Sequence, residues 1–317
     1  MLDRLKTIVP VRTGIPILGC IRIEGGKAFA TNMEMFAEVP FAVDIPPVCV
    51  PYHDLAALHQ QANGAAHEYT VKDNRLTFRA GNISARLAVL PVKEFPPIRH
   101  VEVGREAVFA KADLRAVSVC MSVEQTRYYL CGVSVRENRL CATDGANLIR
   151  RPAVFDGEAT LPDWFVRFLL RHAGDEIRLA VDEAIATWRG EDIIVTSKLI
   201  DGQFPDETRI YGTLDHDKSW TWKRADLEKA LDVAALSDTW SVFENKGGVM
   251  TVTATTHERE SSWAGTVEGD EGRVCFQNRV LRKVLETHSG DEVKVEFGNA
   301  DERTIWNGDH VAMHWRG

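Results

Sequence analysis

The sequence predicts an α+β chain of three tandem, similar domains, and three recurrences carry that prediction. Ala-Thr stands at 30–31, 142–143 and 254–255, two successive intervals of 112 residues. The surroundings recur with it: KAFATN at 27–32, RLCATD at 139–144 and MTVTAT at 250–255 all alternate or carry β-branched residues, as strands do. HAGDEIR at 172–178 returns as HSGDEVK at 288–294, each after an apolar helical stretch and before alternating residues, with a fainter copy from Asn63 to Val71. Phe95-Pro96 and Phe204-Pro205, 109 residues apart, close the first two units. A period near 110 is of domain size and well above the 20 to 50 residues of a solenoid. The expected domains are 1–100, 101–210 and 211–317.

Each unit is expected to carry two helices among its strands. The first helices are Leu2 to Val9, Asp113 to Met121 and Asp226 to Leu236, with Arg4, Lys6, Lys111, Arg115, Lys223, Arg224 and Lys229 on or near them. The second helix of the third unit has Val280, Leu281, Val284 and Leu285 at helical spacing, with Arg279, Arg282 and Lys283 opposite. In the second unit Trp164, Phe165, Phe168 and Leu169 make the apolar face, Asp163 is available to cap the start, and Arg167 and Arg171 lie off that face. The equivalent stretch of the first unit, Asp54 to Gln61, offers only His59 and amides. A mixed-charge helix face is ordinarily just solvated. If equivalent helices share a side, however, their cations gather there despite the net charge of -8.

Composition fits a folded, cytoplasmic chain. Hydrophobic residues at 44% and charged residues at 26% leave no disordered class to consider. The six cysteines form no CxxC pair, so reduced thiols are expected. No stretch is long and apolar enough for a signal peptide or a membrane span.

Catalytic chemistry is hard to find. Gly25-Gly26-Lys27 lacks the remaining positions of a phosphate loop and reads as a hairpin turn. Asp215, His216 and Asp217 sit in a connector with no partner cluster at metal-ligand spacing. His172 and His288 both end a helix, where an imidazole complements the last carbonyls. Asp144-Gly145 reads as a turn after a strand. No catalytic residue, metal or cofactor is therefore expected. Arg127-Tyr128-Tyr129 could stack on nucleic acid, although a Tyr pair at a strand start more often packs half-buried.

Arg127 to Leu148, RYYLCGVSVRENRLCATDGANL, and Ser197 to Ile210, SKLIDGQFPDETRI, resemble the bacterial DNA polymerase III beta subunit, the sliding clamp family. Arg12 to Gly19, RTGIPILG, and Leu90 to Pro96, LPVKEFP, resemble the family's first strands and the close of its first domain. The likeness runs from end to end and is faintest in the third unit. It implies a DNA clamp fold, in which two chains join head to tail as a homodimeric ring with helices lining the inside and antiparallel sheets outside. It also implies the function: a processivity factor encircling double-stranded DNA and tethering the polymerase, with polymerase and clamp-loader subunits bound through short linear motifs. Diffuse phosphate attraction without base readout suits such sliding.

The resemblance implies three sets of residues. Arg12, Arg127, Tyr128 and Tyr129 would meet DNA. Leu130, Thr143, Gly145, Leu148, Pro205, Arg209, Ile210, Val311, Met313 and Arg316 would wall a partner-peptide groove between the second and third domains. Leu87 would meet Ala235 and Leu236 across the ring interface. Two departures are visible: Ala146-Asn147 stands where the family usually has His-Arg, and the end reads Met-His-Trp-Arg-Gly in place of Met-Pro-Met-Arg-Leu. A clamp-fold scaffold dedicated to DNA repair, or to a phage or plasmid replication system, is the alternative reading.

Overall fold

The structure is a computed structural model describing residues 2–211, 216–298 and 303–314. Its elements come in three runs. The first opens with 3-10 helices at Leu2–Thr7 and Pro16–Gly19. It continues with β1 (Cys20–Glu24), β2 (Lys27–Thr31), β3 (Met35–Pro40), β4 (Val48–Pro51), α1 (Tyr52–Ala62), β5 (His67–Lys72), β6 (Arg75–Ala80) and β7 (Ile83–Ala88). The second is β8 (Arg105–Ala110), α2 (Lys111–Ser118), β9 (Gly132–Arg136), β10 (Arg139–Thr143), β11 (Asn147–Pro152), β12 (Glu158–Pro162), α3 (Asp163–His172), β13 (Glu176–Val181), β14 (Ile185–Arg189) and β15 (Ile194–Lys198). After a short α4 (Glu207–Tyr211), the third comprises β16 (Lys218–Lys223), α5 (Arg224–Ala234), β17 (Trp240–Lys246), β18 (Val249–Thr255), β19 (Glu260–Thr266), the two-residue β20 (Glu268–Gly269), β21 (Gly272–Gln277), α6 (Asn278–Thr287), β22 (Glu292–Phe297), β23 (Thr304–Trp306) and β24 (His310–Ala312). A helix, four longer strands, a second helix and three strands thus recur.

The chain divides into two compact units, Met1–Val108 with Arg167–Leu199, and Phe109–Val166 with Ile200–Gly317. In the first unit β4-β1-β2-β3-β15-β14-β13-β8 form one sheet and β5-β6-β7 another. In the second unit the order is β12-β9-β10-β11-β24-β23-β22-β16-β20 in one sheet and β19-β18-β17-β21 in the other. The join that matters for the site is β11 to β24, antiparallel with Leu148 opposite Val311. Trp220, Trp222, Phe243, Phe276 and Trp306 fill the core of the third run, where edge-to-face contacts such as Phe243 on Phe276 suit the ring quadrupoles.

Local chemistry explains where the helices depart from expectation. The first, expected over Leu2 to Val9, is a 3-10 helix ending at Thr7. The β-branched run Thr7-Ile8-Val9 and the following Pro10 both oppose α geometry. Trp164, expected on the apolar face of α3, is 38% exposed, and Val166 takes the buried place beside Phe165, Phe168 and Leu169. On α6 the expected face holds: Val280, Leu281, Val284 and Leu285 are buried. Its cations are not all free for a ligand, because Arg282 pairs with Asp232 and Lys283 with Asp144, both at 2.7 Å. The Tyr128-Tyr129 pair, expected at a strand start, lies in a 3-10 helix, Gln125–Leu130.

The recurrence of 112 is atomic as well as topological. In the first run Thr31 Oγ1 donates to the Met35 carbonyl and accepts the Met33 N–H, while Asn32 Oδ1 accepts from Glu34 and Met35 N–H. In the second, Thr143 Oγ1 donates to the Asn147 carbonyl and accepts the Gly145 N–H, while Asp144 Oδ1 accepts from Ala146 and Asn147 N–H. The third places Thr256 where Asn32 and Asp144 stand, and its Oγ1 accepts from Glu258 and Arg259 N–H. Short polar side chains satisfying nearby backbone groups are what such turns require.

Candidate functional site

A pocket of about 230 Å³ opens beside the β11–β24 join, wholly within the second unit. Its floor is an apolar cluster of buried Leu130, Cys141, Leu148, Phe204 and Val311, with Tyr129, Ile210, Tyr211 and Ile305 packed against it. One wall is the turn from Thr143 to Leu148, in which Gly145 adopts φ 91, a left-handed conformation. A Cβ there would come within 2.9 Å of the Arg127 guanidinium, so glycine also leaves room for that side chain.

The opposite wall, around Pro205, is held by a buried ion pair. Glu207 is fully buried on α4, and Arg136 from β9 donates to it through Nε at 3.1 Å. The same guanidinium donates to the Pro205 carbonyl at 2.8 Å and the Phe204 carbonyl at 3.4 Å. A planar fork of donors makes two bonds to the carboxylate and still reaches two carbonyls, four bonds where a lysine has three donors. Tyr211 completes this side: its hydroxyl donates to the Asp309 carbonyl at 2.5 Å and its ring lies 3.8 Å from the Arg150 guanidinium carbon.

Behind the turn lies a polar network. Asn147 Oδ1 meets His310 Nε2 at 2.8 Å, and His310 Nδ1 meets Thr287 Oγ1 at 2.9 Å. Burial, reinforced by His288, pushes the His310 imidazole down to about 3, so it is neutral at physiological pH. Burial works against the charge on Asp144 as well. Its hydrogen bonds from Lys283 and from the Asn147 and Ala146 N–H groups outweigh burial and hold the carboxyl below its usual range.

Of the expected groove residues, Leu130, Thr143, Gly145, Leu148, Pro205, Ile210, Val311 and Met313 line this pocket. Arg209 is not among its lining residues. Glu207 occupies the buried side of α4, and two residues on, about 200° around the helix, Arg209 points outward, its side chain 86% exposed and paired with Asp206. Arg316 lies outside the described residues. Arg127 and Tyr129, expected at DNA, line the pocket, whereas Tyr128 is 51% exposed and donates to the Asp201 carbonyl. Arg12 is exposed in the other unit. Leu87 is half-buried on β7, an edge strand of its sheet, and Ala235 and Leu236 are exposed just beyond α5.

Sequence reasoning left Ala146, Asn147 and Arg303 out of the wall. The first two directly follow Gly145 and were within reach of the turn reading. Arg303 precedes β23 and is brought in by the sheet, with no local signal. The Arg136–Glu207 pair and the buried His310 were equally unannounced. Among the described residues no group of three or more His, Cys, Asp or Glu side chains could hold a metal ion. Nor, among them, is any helix long and apolar enough to cross a membrane.

No family model matches the chain. Beta sliding clamps do: that of Caulobacter vibrioides is 27% identical, with 96% of this chain and 92% of the relative covered, and that of Bacillus subtilis is 23% identical over 93% and 88%. Among solved structures, the DNA polymerase III subunit beta of Pseudomonas aeruginosa superposes with a TM-score of 0.87 at 22% identity, covering 99% of this chain and 96% of that one. A P. aeruginosa sliding clamp bound to griselimycin gives 0.85 at 21%, covering 100% and 97%. In sequence along nearly its whole length, and in fold, the chain is a relative of the bacterial beta sliding clamps.

Proposed function

We propose that the protein is a DNA sliding clamp: a non-catalytic, cytoplasmic processivity factor that encircles duplex DNA as a head-to-tail homodimer and tethers DNA polymerase. The observation that carries this reading is the apolar pocket at the β11–β24 join of a chain similar to beta sliding clamps from end to end. The three runs of elements support division into domains 1–100, 101–210 and 211–317. The β11–β24 join then falls between the second and third.

The pocket takes apolar side chains of a short peptide from polymerase or clamp-loader subunits. Leu130, Leu148, Ile210, Val311 and Met313 supply its apolar surface, and Thr143, Gly145 and Pro205 shape it. Arg316 is proposed to take part in peptide binding. An exposed, shallow site of this kind suits rapid exchange of partners. Tethering raises the local concentration of primer ends around the polymerase, which slows its loss from template without any chemistry by the tether. Arg12, Arg127, Tyr128 and Tyr129 are proposed to meet DNA, and Arg127 and Tyr129 also line the pocket. Leu87 of one chain is proposed to meet Ala235 and Leu236 of the other.

The test is topological. The protein is loaded onto nicked circular DNA by a clamp loader, and the circle is then cut. A clamp held by encirclement slides off once ends exist, so bound protein should fall to background on linearisation. Equal retention on circle and linear DNA would overturn the sliding reading.

A further inference from the structure

Two routes tie the pocket's turn to α6. Lys283 Nζ donates to Asp144 Oδ2 at 2.7 Å, while the other oxygen of that carboxylate accepts the Ala146 and Asn147 N–H groups at 2.9 and 2.7 Å. One helical turn on, Thr287 meets His310, which meets Asn147. The other two copies of the turn show which part of this is surplus to folding. Asn32 and Thr256 cap the same N–H groups with a neutral oxygen. The turn therefore forms without a carboxylate. Of the three copies, the second has a second acid oxygen, and that oxygen takes Lys283.

We propose that Lys283 is a positioning residue for the peptide pocket: its ammonium fixes the Asp144 carboxylate, and through it the Ala146 and Asn147 backbone that forms the wall. The inference rests on the peptide-binding reading of the pocket. The geometry gives the ammonium leverage, because both groups are mostly buried, with side chains 29% and 20% exposed. A charge-assisted bond in such a place is stronger and less screened than a surface pair. Freed from Lys283, Asp144 can rotate toward water and release the two N–H groups. The wall then samples positions that a ligand must pay to reorder.

The experiment pairs two readouts on Lys283→Met, Asp144→Asn and the double variant. Griselimycin affinity is measured by calorimetry, and backbone hydrogen exchange is followed across 143–148. Asp144→Asn restores the side chain that the first copy uses, so it should fold. Either single variant should weaken griselimycin by about tenfold and speed exchange of the Ala146 and Asn147 amides, and the double variant should be no worse than either single one. Arg282→Met, which removes an equal charge one residue away, should match wild type in both. Unchanged exchange in Lys283→Met, additive losses in the double variant, or an equal loss in Arg282→Met would each overturn the assignment. Failure of the wild type to bind griselimycin would count against the peptide reading instead, and the exchange arm would still decide the role of Lys283.

Discussion

The turn at Thr31–Met35 and the turn at Thr143–Asn147 share their backbone hydrogen bonds, yet the regions around them solve opposite problems. Around the first, the packing is apolar. Phe29 and Ile98 pack onto a cluster of Ile17, Leu18, Cys20, Cys49 and Phe95. At the matching places 112 and 109 residues on, the second has the smaller Cys141 and the acid Glu207. Glu24 becomes Arg136, and Met35 becomes Asn147. By strand pairing, Val195 opposite Ala37 becomes His310 opposite Ile149. An apolar seal has been exchanged for a framework of buried polar pairs around an apolar hollow. Apolar packing holds a surface shut by filling it. Directional bonds can hold walls apart, provided every buried polar group has its partner.

Three perturbations separate these two modes, and the largest effect is expected at the ion pair. Arg136→Met leaves buried Glu207 with only Arg139, 3.9 Å from its other oxygen, as a cation, which should cost about 3 kcal/mol in urea unfolding. The swap Arg136→Met with Glu207→Ile, in which the isoleucine restores the Ile98 of the first region and no charge stays buried, should recover most of that. A loss below about 1 kcal/mol for the single variant would mean the pair is not what holds the Pro205 wall.

The next effect is the pH dependence that His310 gives the polar region. Burial holds His310 far below its ordinary value of 6.5, so the unfolded chain takes up a proton near 6.5 that the folded chain refuses until about 3. Its contribution is therefore complete above 6.5 and is lost as pH falls from there toward 3, by about 1.4 kcal/mol per pH unit at full slope. Asp144 has the sign of a depressed carboxylate: its stabilisation is present above the ordinary 3.8 and is lost as pH falls through its lower folded value. Urea midpoints of wild type and of the Asn147→Met, His310→Val double variant, taken from about pH 7 to 4.5, should diverge, with the variant flatter. Parallel curves would remove His310 from the account. The smallest effect belongs to Asn32→Asp, which keeps the oxygen that caps the first turn. It should shift stability by no more than about 0.5 kcal/mol, since the half-buried carboxylate would still accept the Glu34 and Met35 N–H groups. A shift of several kcal/mol would show that the two turns are not equivalent after all.

These particulars show what could be read from the chain and what could not. The strands, the Gly25-Gly26 hairpin, the turn at Asp144 and the apolar stripe of α6 were legible because each follows from short spacing: period 2, period 3.6, or a side chain reaching its own backbone. The residues expected at a groove came only from the family resemblance, and eight of the ten line the pocket. What stayed hidden depends on distant partners. Arg136 and Glu207 are 71 residues apart, Lys283 and Asp144 139, His310 and Asn147 163. No local pattern marks such pairs, and each residue alone reads as a solvated side chain on a strand, turn or helix. Arg209 stands outside those eight because its neighbour Glu207 already occupies the inner side of a helix too short to offer a second one.

The pairing of α6's cations has a consequence for salt. Arg282 and Lys283 already hold carboxylates, so a phosphate approaching either would have to displace Asp232 or Asp144. A lysine paired within the protein carries little condensed counter-charge and releases little when it meets DNA. On the proposed reading, that helix would steer DNA mainly through Arg279. The attraction holding the duplex would then fall less steeply with ionic strength than a count of the helix's basic residues suggests. A sliding protein gains from that: a grip too weak to arrest motion, and steady across the salt concentrations a cell meets.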